Sequence, residues 1–168
     1  ELWTRISGTP VYIVPAPSEV LQRLFGDLGF FAREGAVTLY EALAGFGLGS
    51  AIAISGAIIM AHSRFLEKSL FPLAVLVKVT PLVAVAPLFV IWFGFGAMPK
   101  ILIASLLTFF PVLVNALYGF RAVNPSALDF LRSLRASPVE VFWLLRAPSS
   151  LPYLFAAFRI AVPLAVIG

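Results

Sequence analysis

Along this chain, long apolar runs alternate with short stretches that hold most of the charge. A membrane-crossing helix needs about 20 mostly apolar residues. Four runs meet that requirement: about 36–61, 70–93, 100–120, and a last one from near Pro152 to Gly168. The first carries Gly45, Gly49 and Ala53 at four-residue spacing, a ladder of small side chains that lets helices approach closely. The second is interrupted by Pro72, Pro81 and Pro87, which predicts a kinked helix whose freed carbonyls need neighbours or water. Pro111 lies inside the third. Upstream, residues 1–35 are mixed and punctuated by Pro10, Pro15 and Pro17. Within them Pro17-Ser18-Glu19-Val20-Leu21-Gln22-Arg23-Leu24-Phe25 predicts a short amphipathic helix, with Ser18 as its cap, lying at the membrane surface. The expected fold is therefore all-α: a polytopic membrane helix bundle of four spans over 36–168, preceded by an interfacial or periplasmic segment over 1–35.

Composition agrees with lipid as the main solvent. Of 168 residues, 61% are hydrophobic and 12% charged, against roughly 25% charged in soluble domains. The 13 prolines and 12 glycines suit membrane helices. The chain holds no cysteine and one histidine, His62, which excludes disulfides, thiol catalysis and clustered Cys or His metal ligands. Its +4 net charge is read as membrane topology rather than nucleic-acid binding, because the cations sit between apolar spans. Loop 62–69 carries Arg64 and Lys68, and loop 121–148 carries Arg121, Arg132, Arg135 and Arg146, whereas loop 94–100 has only Lys100. The positive-inside rule places the first two in the cytoplasm and residues 1–35 and 94–100 outside. Trp92-Phe93 then falls at the outer interface as an aromatic anchor. The missing initiator Met and the apolar run that ends at Gly168 point to a piece of a longer polypeptide.

Segment 121–148 is too long and too polar for a simple turn between spans. Asn124-Pro125-Ser126 predicts a helix start, with Asn124 or Ser126 near the cap. A short helix is expected over 127–136, with Leu128, Leu131, Leu134 and Leu145 on apolar faces. Ser137-Pro138 turns the chain into a second helix over 138–146, and Pro148 and Pro152 are expected to end it before the last span.

This segment resembles the EAA loop of bacterial ABC-importer permeases. The family pattern is Glu-Ala-Ala, three residues, Gly, nine residues, Ile, any residue, then Leu-Pro. Here the same spacing gives Asp129-Phe130-Leu131, Arg135, Leu145 and Ala147-Pro148. Residues 81–96 (PLVAVAPLFVIWFGFG), 109–115 (FFPVLVN), 151–160 (LPYLFAAFRI) and 15–20 (PAPSEV) resemble stretches of the nitrate/sulfonate/taurine-type permeases. The resemblance spans nearly the whole chain. It implies a permease subunit in the bacterial inner membrane, working as a pair of identical chains with two cytoplasmic ATPase subunits and a periplasmic substrate-binding protein. Asp129, Leu131, Arg132, Leu134, Arg135, Ser137 and Pro138 would belong to a coupling helix that docks on the ATPase. Substrates implied are small anions such as sulfonates, taurine or nitrate, or a pyrimidine-type vitamin precursor. Arg135 stands where the family has a glycine. A positive φ is not expected of an arginine, so either the turn is ordinary or the docking differs.

Within the spans, Lys78 is the residue of most interest. It either faces a cavity, where it would attract an anion, or snorkels to the cytoplasmic interface. Thr80, Ser105 and Thr108 could line the same path, although such hydroxyls commonly bond to their own helix carbonyls. Asn115 is expected to bond between helices. No GxxxxGK[ST] occurs, so the chain is expected to bind no cofactor itself and to rely on ATP held by a partner. No nucleophile–base set appears in the spans, so it is expected to be no enzyme. An ATP-independent secondary transporter or channel is the alternative, and a membrane scaffold a third.

Overall fold

The computed structural model describes residues 1–6 and 13–168; Pro10 lies outside the described residues. These are helical almost throughout. In order come α1 (Leu2–Ile6), α2 (Pro17–Gly26), α3 (Leu28–His62), α4 (Arg64–Val79), α5 (Leu82–Phe93), α6 (Ala97–Arg121), α7 (Pro125–Ser133), α8 (Pro138–Val141), a π turn (Phe142–Arg146) and α9 (Ala147–Ile167). The chain divides into two compact units, Glu1–Leu39 and Tyr40–Gly168.

In the first unit α2 forms where it is expected, but Ser18 is not its cap. Ala16 takes that position with Pro17 as the first helical residue, a place where the missing N–H of proline costs nothing. The Ala16 N–H donates to Glu19 Oε2 at 3.1 Å. Ser18 instead donates its hydroxyl to Glu1 Oε1 at 2.8 Å.

In the second unit, the spacing of contacts fixes helix direction. A Cβ on Gly45 would meet Ala104, Ile101 and Ser105, one on Gly49 would meet Thr108 and Ser105, and one on Gly56 would meet Leu113. Contact positions rise together, so α3 and α6 run parallel. Gly119 lies against Ser150 and Tyr153, and Gly168 against Ala104, so α9 returns antiparallel to α6. Because α3 and α6 are parallel, α4 and α5 must carry the chain back across the bundle between them.

Helices α3 and α6 and the stretch Pro138–Ile167 are each long and apolar enough to cross a membrane, and the α4–α5 pair makes a fourth crossing if counted as one span. The all-α polytopic bundle is thus as expected. Three boundaries differ. The second span is a broken pair, bent by 95°, rather than one kinked helix. Pro81 has no N–H to return to the Val77 carbonyl, and α5 restarts with Pro81 as its cap. The loop expected over 62–69 is reduced to Ser63, whose hydroxyl accepts the Leu66 N–H at 3.3 Å and caps α4. Finally, the helix from Pro138 does not stop at Pro148 and Pro152. The π turn shifts the backbone to an i→i−5 register, with the Ala147 N–H bonded to Phe142 O. Pro148 then falls in the first turn of α9, where it is tolerated.

The core of this unit is made of small side chains. Ala53, Ala57, Ala116, Ala157 and Ala161 are fully buried around Val112 and Leu113, with Phe46 and Phe158 meeting edge to face at 5.3 Å between centroids. Helix association within a bilayer depends on such close approach more than on apolar surface. At one end of α6, the Lys100 ammonium binds both oxygens of the buried Glu41 carboxylate, at 3.0 and 3.1 Å. Lys100 therefore sits in the first turns of α6 rather than in a loop.

Candidate functional site: the 121–148 segment and a cavity at the broken span

Segment 121–148 is clamped at both ends to the terminus of α3. Arg121, the last residue of α6, donates to Glu67 of α4 at 2.6 Å and to the Met60 carbonyl at 3.2 Å. Arg146, at the end of the π turn, donates to the Ala61 carbonyl at 3.0 Å. The last carbonyls of a helix carry the negative end of its dipole, and two guanidiniums meet them from different directions, Arg121 sharing Met60 O with the Ser63 N–H at 3.3 Å. Phe142 completes the joint, its ring tilted against Phe120 at 5.4 Å and His62 at 5.7 Å between centroids. In sequence, Arg121 and Arg146 read only as loop charge; their common partner is a helix terminus that tertiary folding supplies.

Between these clamps the backbone is fully specified. Asn124 Oδ1 accepts the Ser126 N–H at 2.9 Å and caps α7, so of the two expected cap positions Asn124 takes the role. Helix α7 ends in a Schellman motif: the Arg135 N–H donates to Arg132 O at 2.9 Å and the Ala136 N–H to Leu131 O at 3.0 Å. The motif requires a left-handed residue, and Arg135 takes it with φ of 57°. The expectation that an arginine would not adopt the glycine conformation is therefore wrong. Two backbone hydrogen bonds hold it there against a cost of about 1–2 kcal/mol. Ser137 follows as the cap of α8, in a reciprocal arrangement with Glu140. The Glu140 N–H donates to Ser137 Oγ at 3.3 Å, and the Ser137 N–H donates to Glu140 Oε2 at 2.7 Å. Pro138 occupies the first turn of α8.

Several large apolar side chains on this segment have no cover within the chain. Phe130, Leu134, Val139, Trp143 and Leu144 are all between 63% and 67% exposed. Of the apolar residues expected here, Leu134 is in that set, while Leu128 and Leu131 are half-buried. In the sequence Phe130 stands only as part of the motif spacing, and nothing local marks Val139, Trp143 or Leu144, because their exposure depends on neighbours that folding supplies. Asp129 and Arg132 form an exposed pair at 3.4 Å. A cleft of about 200 Å³ behind α7 is lined by His62, Arg132 and Arg146 among others.

The structure does not bring Lys78, Thr80, Ser105 and Thr108 together. Thr108 is fully buried and donates to the Ala104 carbonyl at 3.0 Å. Ser105 donates to Leu102 O at 2.7 Å. Both stand at the close approach of Gly49 on α3. Thr80 ends α4 and donates to Leu76 O at 2.8 Å. Lys78 lines a separate cavity of about 400 Å³ with Leu82, Phe110, Asn115 and Leu164, between the broken span, α6 and α9. Its ammonium lies 4.7 Å from the centroid of the Phe110 ring. Phe110 is next to the midpoint of α6, and Lys78, exposed near the end of α4, stands over its ring. Asn115 donates to Pro111 O at 2.8 Å, within its own helix and not between helices as expected.

Comparison with known proteins now identifies the family. Residues 45–168 match the family described as binding-protein-dependent transport system inner membrane component. The chain is 35% identical over 171 residues to the formylaminopyrimidine transport permease protein ThiX of Halalkalibacterium halodurans, covering 100% of this chain and 67% of that protein. It is 35% identical to the riboflavin transport system permease protein RibX of Chloroflexus aurantiacus, covering 97% and 62% respectively. It is 32% identical to the taurine transport system permease protein TauC of Escherichia coli, covering 92% and 58%. The chain thus spans about two thirds or less of the length of these relatives. With its clamped, partly uncovered segment and its crossing helices, the chain belongs to the binding-protein-dependent transport system inner membrane components and is a multi-pass inner-membrane protein.

Proposed function

We propose that the full protein is the permease subunit of an ATP-driven importer, and that segment 121–148 is its coupling element. The segment lies in the cytoplasm by the positive-inside rule and docks on a separate ATPase subunit that binds ATP; this chain binds no cofactor and does no covalent chemistry. Phe130 and Leu134 anchor in a cleft of that subunit, and Arg132 supplies rim contacts and steering. Two copies of the chain work as a pair, with a periplasmic substrate-binding protein on the other side. The observation that carries the reading is the double clamp: Arg121 and Arg146 tie both ends of an otherwise uncovered segment to the same helix terminus. A push on α7 and α8 therefore reaches α3, α4 and α6 together. The relatives' names suggest heteroaromatic vitamin precursors or sulfonates as cargo.

A single cysteine tests this. Leu134→Cys, in the full-length permease with any other cysteine replaced, is co-expressed with the candidate ATPase. Leu134 is exposed and is a better position than Ser137, which caps α8. The expected result is a crosslink to the ATPase whose yield changes with ATP. An intact complex without that crosslink overturns the docking site. If no ATPase co-purifies, the importer reading fails and an ATP-independent transporter replaces it.

A further inference from the structure

We propose that the cavity at the α4–α5 break is a transit site for an organic monoanion with an apolar, ring-sized body, read by Lys78 and Phe110. The inference rests on the permease reading and narrows its cargo.

Four observations converge. First, the cavity measures about 400 Å³, at the small end of ligand pockets, which run from roughly 300 to 1,000 Å³. Second, its walls are almost wholly apolar: Val77, Leu82, Leu106, Val114, Ile160 and Leu164 contribute carbon surface, and Lys78 and Asn115 the side-chain polarity. Third, among the described residues Lys78 has no carboxylate partner; the ion pairs of this unit use Glu41, Glu67 and Asp129 instead. A cation at mid-span without a counter-charge is costly, and such residues mark substrate paths. Fourth, the cavity sits at a break in a membrane helix, with Lys78 and Leu82 on either side of Pro81. Irregular backbone at that depth is tolerated where it lines a cavity.

Ligand chemistry follows from the walls. The ammonium already leans on the Phe110 ring face, a contact that a flat apolar body can share while its negative group meets the charge. An inorganic anion would leave the leucine and valine surface unused and would shed its water for one donor. A neutral ring would leave the ammonium without a counter-charge. Asn115 spends one N–H on Pro111 O, which leaves its carbonyl oxygen and second N–H as neutral hydrogen-bonding groups for the ligand.

The test uses the full-length permease in nanodiscs with a single cysteine at Leu106, a residue of the cavity wall. The rate of maleimide alkylation is followed with benzenesulfonate, benzenesulfonamide or sulfate present. Benzenesulfonate is expected to slow alkylation at least tenfold, and the neutral amide and the inorganic ion less than twofold. Lys78→Gln should abolish the protection, and Lys78→Arg should keep it. Equal protection by the sulfonamide, or protection that survives Lys78→Gln, overturns the proposal. Alkylation that no probe slows, but that follows the phosphatidylglycerol content of the nanodisc, assigns Lys78 to a lipid head group and overturns it too. The Leu134→Cys crosslink is measured on the same protein. An ATP-sensitive crosslink without benzenesulfonate protection removes the site alone, whereas protection without a crosslink keeps the site and removes the ATP-driven reading.

Discussion

Helix α6 buries ten of its residues, from Pro99 to Phe120, whereas the broken pair α4–α5 buries Ala74 alone among the described residues. Yet α5, with the sequence LVAVAPLFVIWF, holds no charged residue, while α6 has Lys100 and Arg121. Between α5 and α6, apolar character and burial therefore run in opposite directions. In a bilayer the lipid tails are as apolar as leucine, so hydrophobic surface alone gives helices no reason to associate. What draws α6 against α3 and α9 is the set of glycines, alanines and small hydroxyls that let backbones touch. The bulky, proline-broken pair has no such seam. It leaves the Lys78 cavity beside α6, and it joins the core only through Ala74, with Leu70 and Phe71 packed around it.

The largest break in this comparison comes from filling the seam. Gly49→Leu would drive a side chain into the Ser105 backbone and Thr108, and a loss of about 3 kcal/mol is expected for such overpacking. It is read as the thermal unfolding midpoint of the full-length protein in detergent. The same change at Gly47, where a Cβ meets nothing within 4 Å, should cost under about 0.5 kcal/mol. Equal effects at both positions would show that α3 does not use the seam described.

A smaller effect is expected where the two regions are tied together. Arg121→Met removes the bond to Glu67 of α4 and the cap on Met60 O; both charged side chains are largely covered, at 31% and 24% exposed. The expected loss is about 2 kcal/mol, and Glu67→Gln in the same chain should return part of it. Full additivity in that double-mutant cycle would mean that the pair does not hold α4 to α6.

The smallest effect has the opposite sign. Arg135→Gly relieves the left-handed φ of 57° and should stabilise the protein by about 1 kcal/mol, with the crosslink at Leu134 unchanged. A loss of stability, or of ATPase binding, would show that the Arg135 side chain does more than tolerate the turn.

Much of this molecule was legible in its sequence. The crossing helices follow from runs of apolar residues, because lipid demands a fixed length of them. The helix start at Asn124-Pro125-Ser126, the turn at Ser137-Pro138 and the small-residue ladder at Gly45, Gly49 and Ala53 are local patterns whose physics lies within a few residues. Tertiary structure alone decided the rest. Whether the helix stops at Pro148 depended on a π turn that re-registers the backbone. Whether Arg135 adopts a glycine conformation depended on the bonds around it. Thr108 and Lys78 looked alike as polar residues in apolar spans, yet one is sealed against Gly49 and the other faces a cavity, because only packing determines which side of a helix has a neighbour. Arg121 and Arg146 lie 25 positions apart and meet at the end of α3, whose last carbonyls carry the negative end of the helix dipole and are brought to both arginines only when the bundle closes.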